Sequence, residues 1–333
     1  MTPARGISVE RMIRIATLGT STITERFVDA VRQVDGIRVD LAFSRDLDRG
    51  RAFAERLGIP GATDDFASLA GRVDAVYVGS PNGVHADQAR QAIDAGLHVF
   101  LEKPATPTAR EFAELVESAT ARGVVVFEGM RNVYDPGFAR LRELLPRVGT
   151  VRRVSFALCQ RSARYDLVLR GEKPNIFDPA LAGGALYDLG VYPLSALVAL
   201  FGETDAVAAS TVTIPTGVDG SGTALLAYPG FVADIAFSKI TASSRPGEVQ
   251  GELGTIEIDR ITDPRRAVLT PVGGEPEEHL IDADDNNMTY EVARFAQLVR
   301  GEADPRPDQE RTLAVLRLVE RIRAAAGHAK IAG

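Results

Sequence analysis

Three residues able to move protons stand out by type and setting: Lys103, Asp188 and Tyr192. Of the 38 cationic residues only four are lysine (Lys103, Lys173, Lys239 and Lys330), the other 34 being arginine. In such a chain a lysine inside a motif asks for an ammonium specifically. Its compact charge shifts pKa on burial and can join proton transfer, which a guanidinium cannot. Lys103 stands in LEKPAT, where Pro104 restricts it to an extended backbone and so aims the side chain. The plainer alternative is a surface lysine before a turn. Asp188 and Tyr192 lie four residues apart in GGALYDLGVYPL, on one face of a predicted helix, after two glycines that allow close backbone approach. Pro193 must then sit in the first turn of that helix or kink it. A buried Asp on an apolar helix needs a partner, and Lys103 can be it. The alternative is an Asp cap beside a core tyrosine.

A second group of residues has the types that hold a dinucleotide. GTSTIT (Gly19, Thr20, Ser21, Thr22, Ile23, Thr24) follows a predicted strand and opens a predicted helix. There a glycine permits the tight turn and the next amides face a pyrophosphate at the positive helix end. Ser21 and Thr24 stand where this motif usually has its second and third glycines, so an ordinary turn with Thr22 capping the helix is the alternative. About 20 residues on, where an acid would hold the ribose of NAD, stand Ser44 and Arg45. A hydroxyl beside a guanidinium suits the 2′-phosphate of NADP, so NADP is expected over NAD, with Asp46 as the cap of the next helix. SPNGVH puts Ser80, Pro81, Asn82 and His85 at another strand end, with Asn82 expected near the nicotinamide ribose and His85 at a helix start; turn chemistry and capping alone are the alternative. Glu102, beside Lys103, is placed with this group.

These residues need a scaffold, and the hydrophobic rhythm describes one. Strands are predicted at 13–18, 37–43, 73–79, 98–102 and 124–128, alternating with helices near 23–34, 46–57, 84–95 and 107–122. That is the pattern of a doubly wound parallel sheet. After Pro136 a helix (136–145), a strand (150–159) and an apolar helix (185–201) lead into strand after strand from 205 to 281, separated by VDGSG, YPG, RPGE and VGGE. An open, mainly antiparallel sheet in an α+β domain is expected, then helices near 287–300 and 308–326. The organisation read is a loose arm (1–11), a dinucleotide-binding domain (12–130) and a substrate and oligomerisation domain (131–333), with the closing helices able to pack back on the first.

Composition narrows the partners. At 333 residues, 45% hydrophobic and 25% charged, with a formal net charge of −7, the chain reads as globular, with neither a nucleic-acid surface nor a membrane span expected. The one cysteine, Cys159, permits no internal disulfide and reads as core filler, which suits a reducing cytoplasm. MTPARGISVERM has no apolar stretch of secretory type. Neither cysteine clusters nor other metal motifs occur, so no metal is expected.

GTSTIT, SPNGVH, AGLHVFLEKP and GGALYDLGVYPL, in this order, resemble the Gfo/Idh/MocA oxidoreductase family over nearly the whole chain. The tyrosine at 192 is similar to the branch holding dimeric dihydrodiol dehydrogenase, NADP-dependent D-xylose dehydrogenase and glucose-fructose oxidoreductase. The resemblance implies an N-terminal Rossmann domain and an α+β domain whose sheet joins subunits as a homodimer or homotetramer. It implies hydride transfer between nicotinamide and a hydroxyl or carbonyl carbon of a sugar-like or cyclic diol substrate, with Lys103 and Tyr192 as the proton-transfer pair and Asp188 positioning lysine or substrate. Arg131 and Asn175 are candidate pocket residues. Ser195 stands where His-type members often have an acid. The alternatives are a non-catalytic NADP-sensing regulator on the same fold and an enzyme that never releases its cofactor.

Overall fold

The computed structural model of the chain describes residues 12–328, so the arm expected over 1–11 lies outside the described residues. The first domain alternates β1 (Ile13–Leu18), α1 (Thr22–Val31), β2 (Ile37–Phe43), α2 (Leu47–Arg56), β3 (Gly61–Thr63), β4 (Ala75–Val78), α3 (His85–Asp94), β5 (His98–Glu102), α4 (Ala109–Arg122) and β6 (Val126–Gly129). All pairs are parallel, in the order β3-β2-β1-β4-β5-β6. β4, AVYV, is buried at every position, as a strand covered on both faces must be. The sheet has one strand more than expected, because β3 is three residues long and carries no readable period. Strand order reverses between β1 and β4, and the crevice at such a reversal is where open α/β sheets bind ligands.

The second domain holds α5 (Pro136–Leu144), β7 (Val151–Cys159), α6 (Tyr165–Leu169), α7 (Val191–Phe201), β8 (Ala206–Thr213), β9 (Asp219–Tyr228), β10 (Phe231–Ser238), β11 (Gly247–Gly251), β12 (Gly254–Ile258), β13 (Arg266–Pro271) and β14 (Glu277–Leu280). Its eight strands run β14-β13-β12-β11-β7-β10-β9-β8, antiparallel except for the parallel β7–β10 pair. β10 alternates up to its last residue: Ala233, Ile235 and Phe237 are buried, Val232 is 42% exposed, and only the terminal Ser238 breaks the period by being buried too. Leu225 and Val212 of β9 and β8 share that outer face. Cys159, expected as core filler, is only partly buried at the end of β7, and burial raises its thiol pKa.

The chain ends in α8 (Met288–Val299) and α9 (Arg306–His328). Phe295 of α8 packs on Phe100 and Phe127 of the first sheet, edge-on to the former. On α9, Leu316 joins the core of the first domain, while Val315, Leu318, Val319 and Ile322 join that of the second. The apolar run Pro179–Phe201 is long enough to cross a bilayer, but most of its apolar part is buried inside the protein, so it is a core element here.

Candidate active site

The strands β1, β4 and β5 deliver their C-terminal ends to one edge, and the expected motifs lie on the turns that follow. Gly19 has φ +121°, and a Cβ there would stand 2.9 Å from the Gly79 carbonyl oxygen, so only glycine lets the two turns cross. Gly79 in turn lacks the Cβ that would strike Thr24 Oγ1 at 2.8 Å. The space the usual third glycine provides on the helix is thus provided from the strand side. Thr22 is not the cap: Ser21 holds that position with extended dihedrals, and its Oγ lies 3.2 Å from Thr24 Oγ1 rather than on a first-turn amide. Thr20 and Ile23 are half-buried and Ser21 and Thr22 exposed around this helix end.

At the end of β2, Asp46 caps α2 by accepting the Arg49 amide at 3.0 Å, as expected. Ser44 is buried, and its Oγ accepts from the Asp46 amide and, at 3.4 Å, from Arg49 Nη2. Arg45 is exposed. Arg49, not anticipated, brings a second guanidinium beside the Ser44 hydroxyl; the signal was its place one turn into α2.

Two residues placed among the cofactor contacts are instead sealed in the protein. His85 is fully buried, its Nδ1 3.0 Å from the Pro104 carbonyl and its Nε2 2.8 Å from that of Ser80. Burial lowers its pKa, and with both ring nitrogens set against backbone carbonyls it ties two turns together. Glu102 turns its carboxyl inward to accept from the Tyr77 hydroxyl at 2.8 Å, and burial raises its pKa. Pro81 shapes the turn in extended geometry, Ser80 Oγ bonds Gln88 Oε1 at 2.6 Å, and Asn82 Nδ2 donates to the Ala182 carbonyl at 3.2 Å across the domain boundary.

Lys103 follows β5, and its bond to Pro104 is cis. Its Nζ donates to Asp188 Oδ1 at 2.7 Å and to the Asp188 carbonyl at 2.8 Å, and lies 5.0 Å from the Tyr192 ring centre. Burial alone would lower the lysine pKa, but the charges of Asp188 and Tyr192 outweigh it and raise it. For Asp188 burial pulls upward, and Lys103 and Lys239 hold the carboxyl well below the usual carboxylate range. Asp188 and Tyr192 do not share one regular helix: Leu186–Gly190 is a π-turn, after which α7 begins with Pro193 in its first turn. The π-turn runs into α7 without a break, so Pro193 lies just past an irregular turn, where the regular i−4 pattern its missing N–H would join is already disrupted.

The supports of this trio were mostly unforeseen. Asp219 Oδ2 accepts the Leu186 amide at 2.7 Å, and Asn132 Nδ2 donates to the Tyr192 carbonyl at 3.1 Å. The Tyr187 hydroxyl donates to the Pro107 carbonyl and accepts from Arg323, each at 2.7 Å. Arg131 lies 5.6 Å from the Tyr192 ring centre and donates to Asn287 at 3.3 Å, which makes it a wall of the tyrosine rather than an open pocket group. Asn175 is exposed on the short turn Asn175–Phe177. Lys239, just past β10, is 2% exposed and pairs with Asp188 Oδ2. A separate surface hollow lined by Arg14, Asp40, Pro60 and Arg72 lies toward the N-terminal ends of β1 and β2, away from all of these groups.

Residues 13–130 match the profile of an oxidoreductase family with an NAD-binding Rossmann fold, GFO/IDH/MocA, and residues 138–257 match the C-terminal domain profile of that family. The chain is similar to scyllo-inositol 2-dehydrogenase (NADP(+)) of Bacillus subtilis, 37% identical over 95% of this chain and 98% of the relative. It is similar to D-xylose 1-dehydrogenase (NADP(+)) 2 of Haloferax volcanii, 33% identical over 92% and 94%. Among solved structures, a 3-ketoreductase from Actinomadura kijaniata in complex with NADP and TDP-benzene superposes with a TM-score of 0.83 at 26% identity, over 95% of this chain and 98% of that one.

Proposed function

Because the chain belongs to the GFO/IDH/MocA family of oxidoreductases, we propose that it is an NADP-dependent dehydrogenase acting on a secondary alcohol carbon of a cyclic polyol or sugar. The observation that carries this reading is Lys103, set on the ligand-binding edge of the first sheet, held by Asp188 and facing the Tyr192 ring.

The residues present fit a dinucleotide. The Gly19 turn, which a Cβ would fill, and the uncapped start of α1 would take the pyrophosphate; Ser44, Arg45 and Arg49 would take the 2′-phosphate. Asp46 turns one carboxylate oxygen onto the Arg49 amide as the cap of α2. NADP⁺ bound there supplies a hydride acceptor. Tyr192 takes the proton of the substrate hydroxyl as its carbon gives up hydride. The Lys103 ammonium favours the negative oxygen that forms, and Asp188 keeps that ammonium in place. In the reverse direction Tyr192 returns the proton to the carbonyl oxygen.

The outer sheet face carrying Val212, Leu225 and Val232 supports a homodimer or homotetramer formed there. Light scattering should find no monomer at micromolar concentration; a monomer throughout would refute it. The single cysteine suits the cytoplasm as the place of work.

The test is NADP⁺ reduction with scyllo-inositol, D-xylose and a trans-dihydrodiol, in wild type and Tyr192→Phe. Turnover that Tyr192→Phe abolishes supports the reading; turnover that it leaves intact overturns the role of Tyr192. No turnover with any of them, while NADPH still binds, would favour a cofactor-sensing protein.

A further inference from the structure

Lys239 is one of the chain's four lysines, and the only position of the second sheet at which an ammonium is buried among the described residues. It follows β10 directly, with its amide donating to Gly220 and its carbonyl accepting from Ser162, so its backbone is fixed on both sides. Its side chain is 2% exposed, lies 5.2 Å from the centre of the Phe177 ring and ends on Asp188 Oδ2. Burying an ammonium this far is costly unless a paired charge offsets it, and the carboxylate it has found is the one that also holds Lys103. One carboxylate therefore bridges two lysines, from the edge of the first sheet and the edge of the second.

We infer that Lys239 is a positioning residue of the catalytic group: it occupies one oxygen of Asp188, commits the other to Lys103, and leaves the trio of charges with an excess of one positive beside Tyr192. This rests on the roles proposed above for Lys103 and Tyr192. Without Lys239 the carboxylate is free to turn, and its charge cancels that of Lys103 in full. Both changes disfavour a phenolate at Tyr192. The other charged and titratable groups around the pair are Glu102 at the end of β5, Tyr77 on β4, His85 at the start of α3, Glu128 on β6, Arg131 before α5, Glu291 on α8 and Arg164 before α6. Glu102 and Glu291 have their carboxyls raised by burial, which lessens what they subtract from the positive excess. Burial, with Lys103 and Arg164 adding to it, lowers the pKa of Lys239 itself against the pull of Asp188.

The experiment reads Tyr192 directly, through the difference in tyrosinate absorbance between each protein and the same protein carrying Tyr192→Phe, across pH, in wild type, Lys239→Met and Lys239→Arg. Turnover of scyllo-inositol with NADP⁺ and NADPH binding are measured beside it. Lys239→Met should move the Tyr192 midpoint upward by about half a unit or more and lower kcat about tenfold, with NADPH affinity held within about threefold. Lys239→Arg, which keeps the charge, should restore the wild-type midpoint. A folded Lys239→Met protein with an unmoved midpoint overturns the inference, as does a folded Lys239→Arg protein shifted as far as the Met variant. Should Lys239→Met not fold, Lys239→Gln takes its place: a raised midpoint supports the inference, an unmoved one overturns it. Full turnover in Tyr192→Phe would remove the role proposed above for Tyr192, whereas loss there with no effect at Lys239 removes only this inference.

Discussion

Asp219 grips the start of the segment that carries Asp188 and Tyr192, its Oδ2 accepting the Leu186 amide at 2.7 Å. The π-turn has no side-chain cap of its own, so a carboxylate on β9 provides one from outside. Burial, against the pull of these amides, lifts the Asp219 carboxyl from 3.8 to about 6.

An acid raised in this way binds its proton more tightly when the chain is folded. Its contribution to stability is present in full below about pH 4 and is lost as pH rises through about 6. Asp219→Asn does not titrate, so it should gain on wild type by about 1 to 3 kcal/mol between pH 4 and pH 7 in denaturant unfolding. A difference between the two proteins that stays flat with pH would refute the shift.

Gly184 lies against the same carboxylate, at φ +127° and with a built Cβ only 2.3 Å from Asp219 Oδ1. Gly184→Ala should cost about 3 kcal/mol or more and strip most activity, since the displaced group is the anchor of the π-turn. Gly171→Ala is the control: φ is +87° but nothing stands within 4 Å, so only about 1 to 2 kcal/mol of backbone strain is expected. Equal losses at both sites would show that the Asp219 contact is unimportant.

Arg45→Ala should weaken NADP binding by about 1.5 to 3 kcal/mol and leave NAD binding almost unchanged, because only NADP carries the phosphate. Arg49→Ala should lose less, its guanidinium reaching the Ser44 hydroxyl at 3.4 Å. Fluorescence titration with both cofactors checks this, and an equal loss for NADP and NAD would contradict it.

Lys103→Arg should fold yet lose about 10² to 10⁴ in kcat, as should Tyr192→Phe, with cofactor affinity little changed. The guanidinium keeps the charge but not the shape that fits between Asp188 Oδ1 and the Asp188 carbonyl. The double variant should be hardly worse than the worse single one, because residues acting as a unit are non-additive. Independent, multiplying losses would separate the two.

The meeting of Lys103 with Asp188 and Tyr192 was legible because each stands inside a motif at a strand end or helix start. Lys239 and Asp219 were not, since FSKI and VDGSG read as ordinary strand and turn. The one available signal was the scarcity of lysine, which singled out Lys103 and applied equally to Lys239. The first sheet was legible through its continuous apolar runs. The parallel pairing of β7 with β10 was hidden, because hairpin signals describe neighbours in the chain and these two strands are not. His85 and Glu102 were misplaced for a related reason: a strand end tells that a residue is near the ligand edge, not which way its side chain turns.

Helix α9 gives Leu316 to one core and Val315, Leu318, Val319 and Ile322 to the other. That one helix is therefore a component of both domains. With α9 undocked, apolar surface on each core would stand open to water and to other chains, so the two cores share one closing element. The two cores are coupled through that helix, so loosening α9 weakens both walls of the crevice at once.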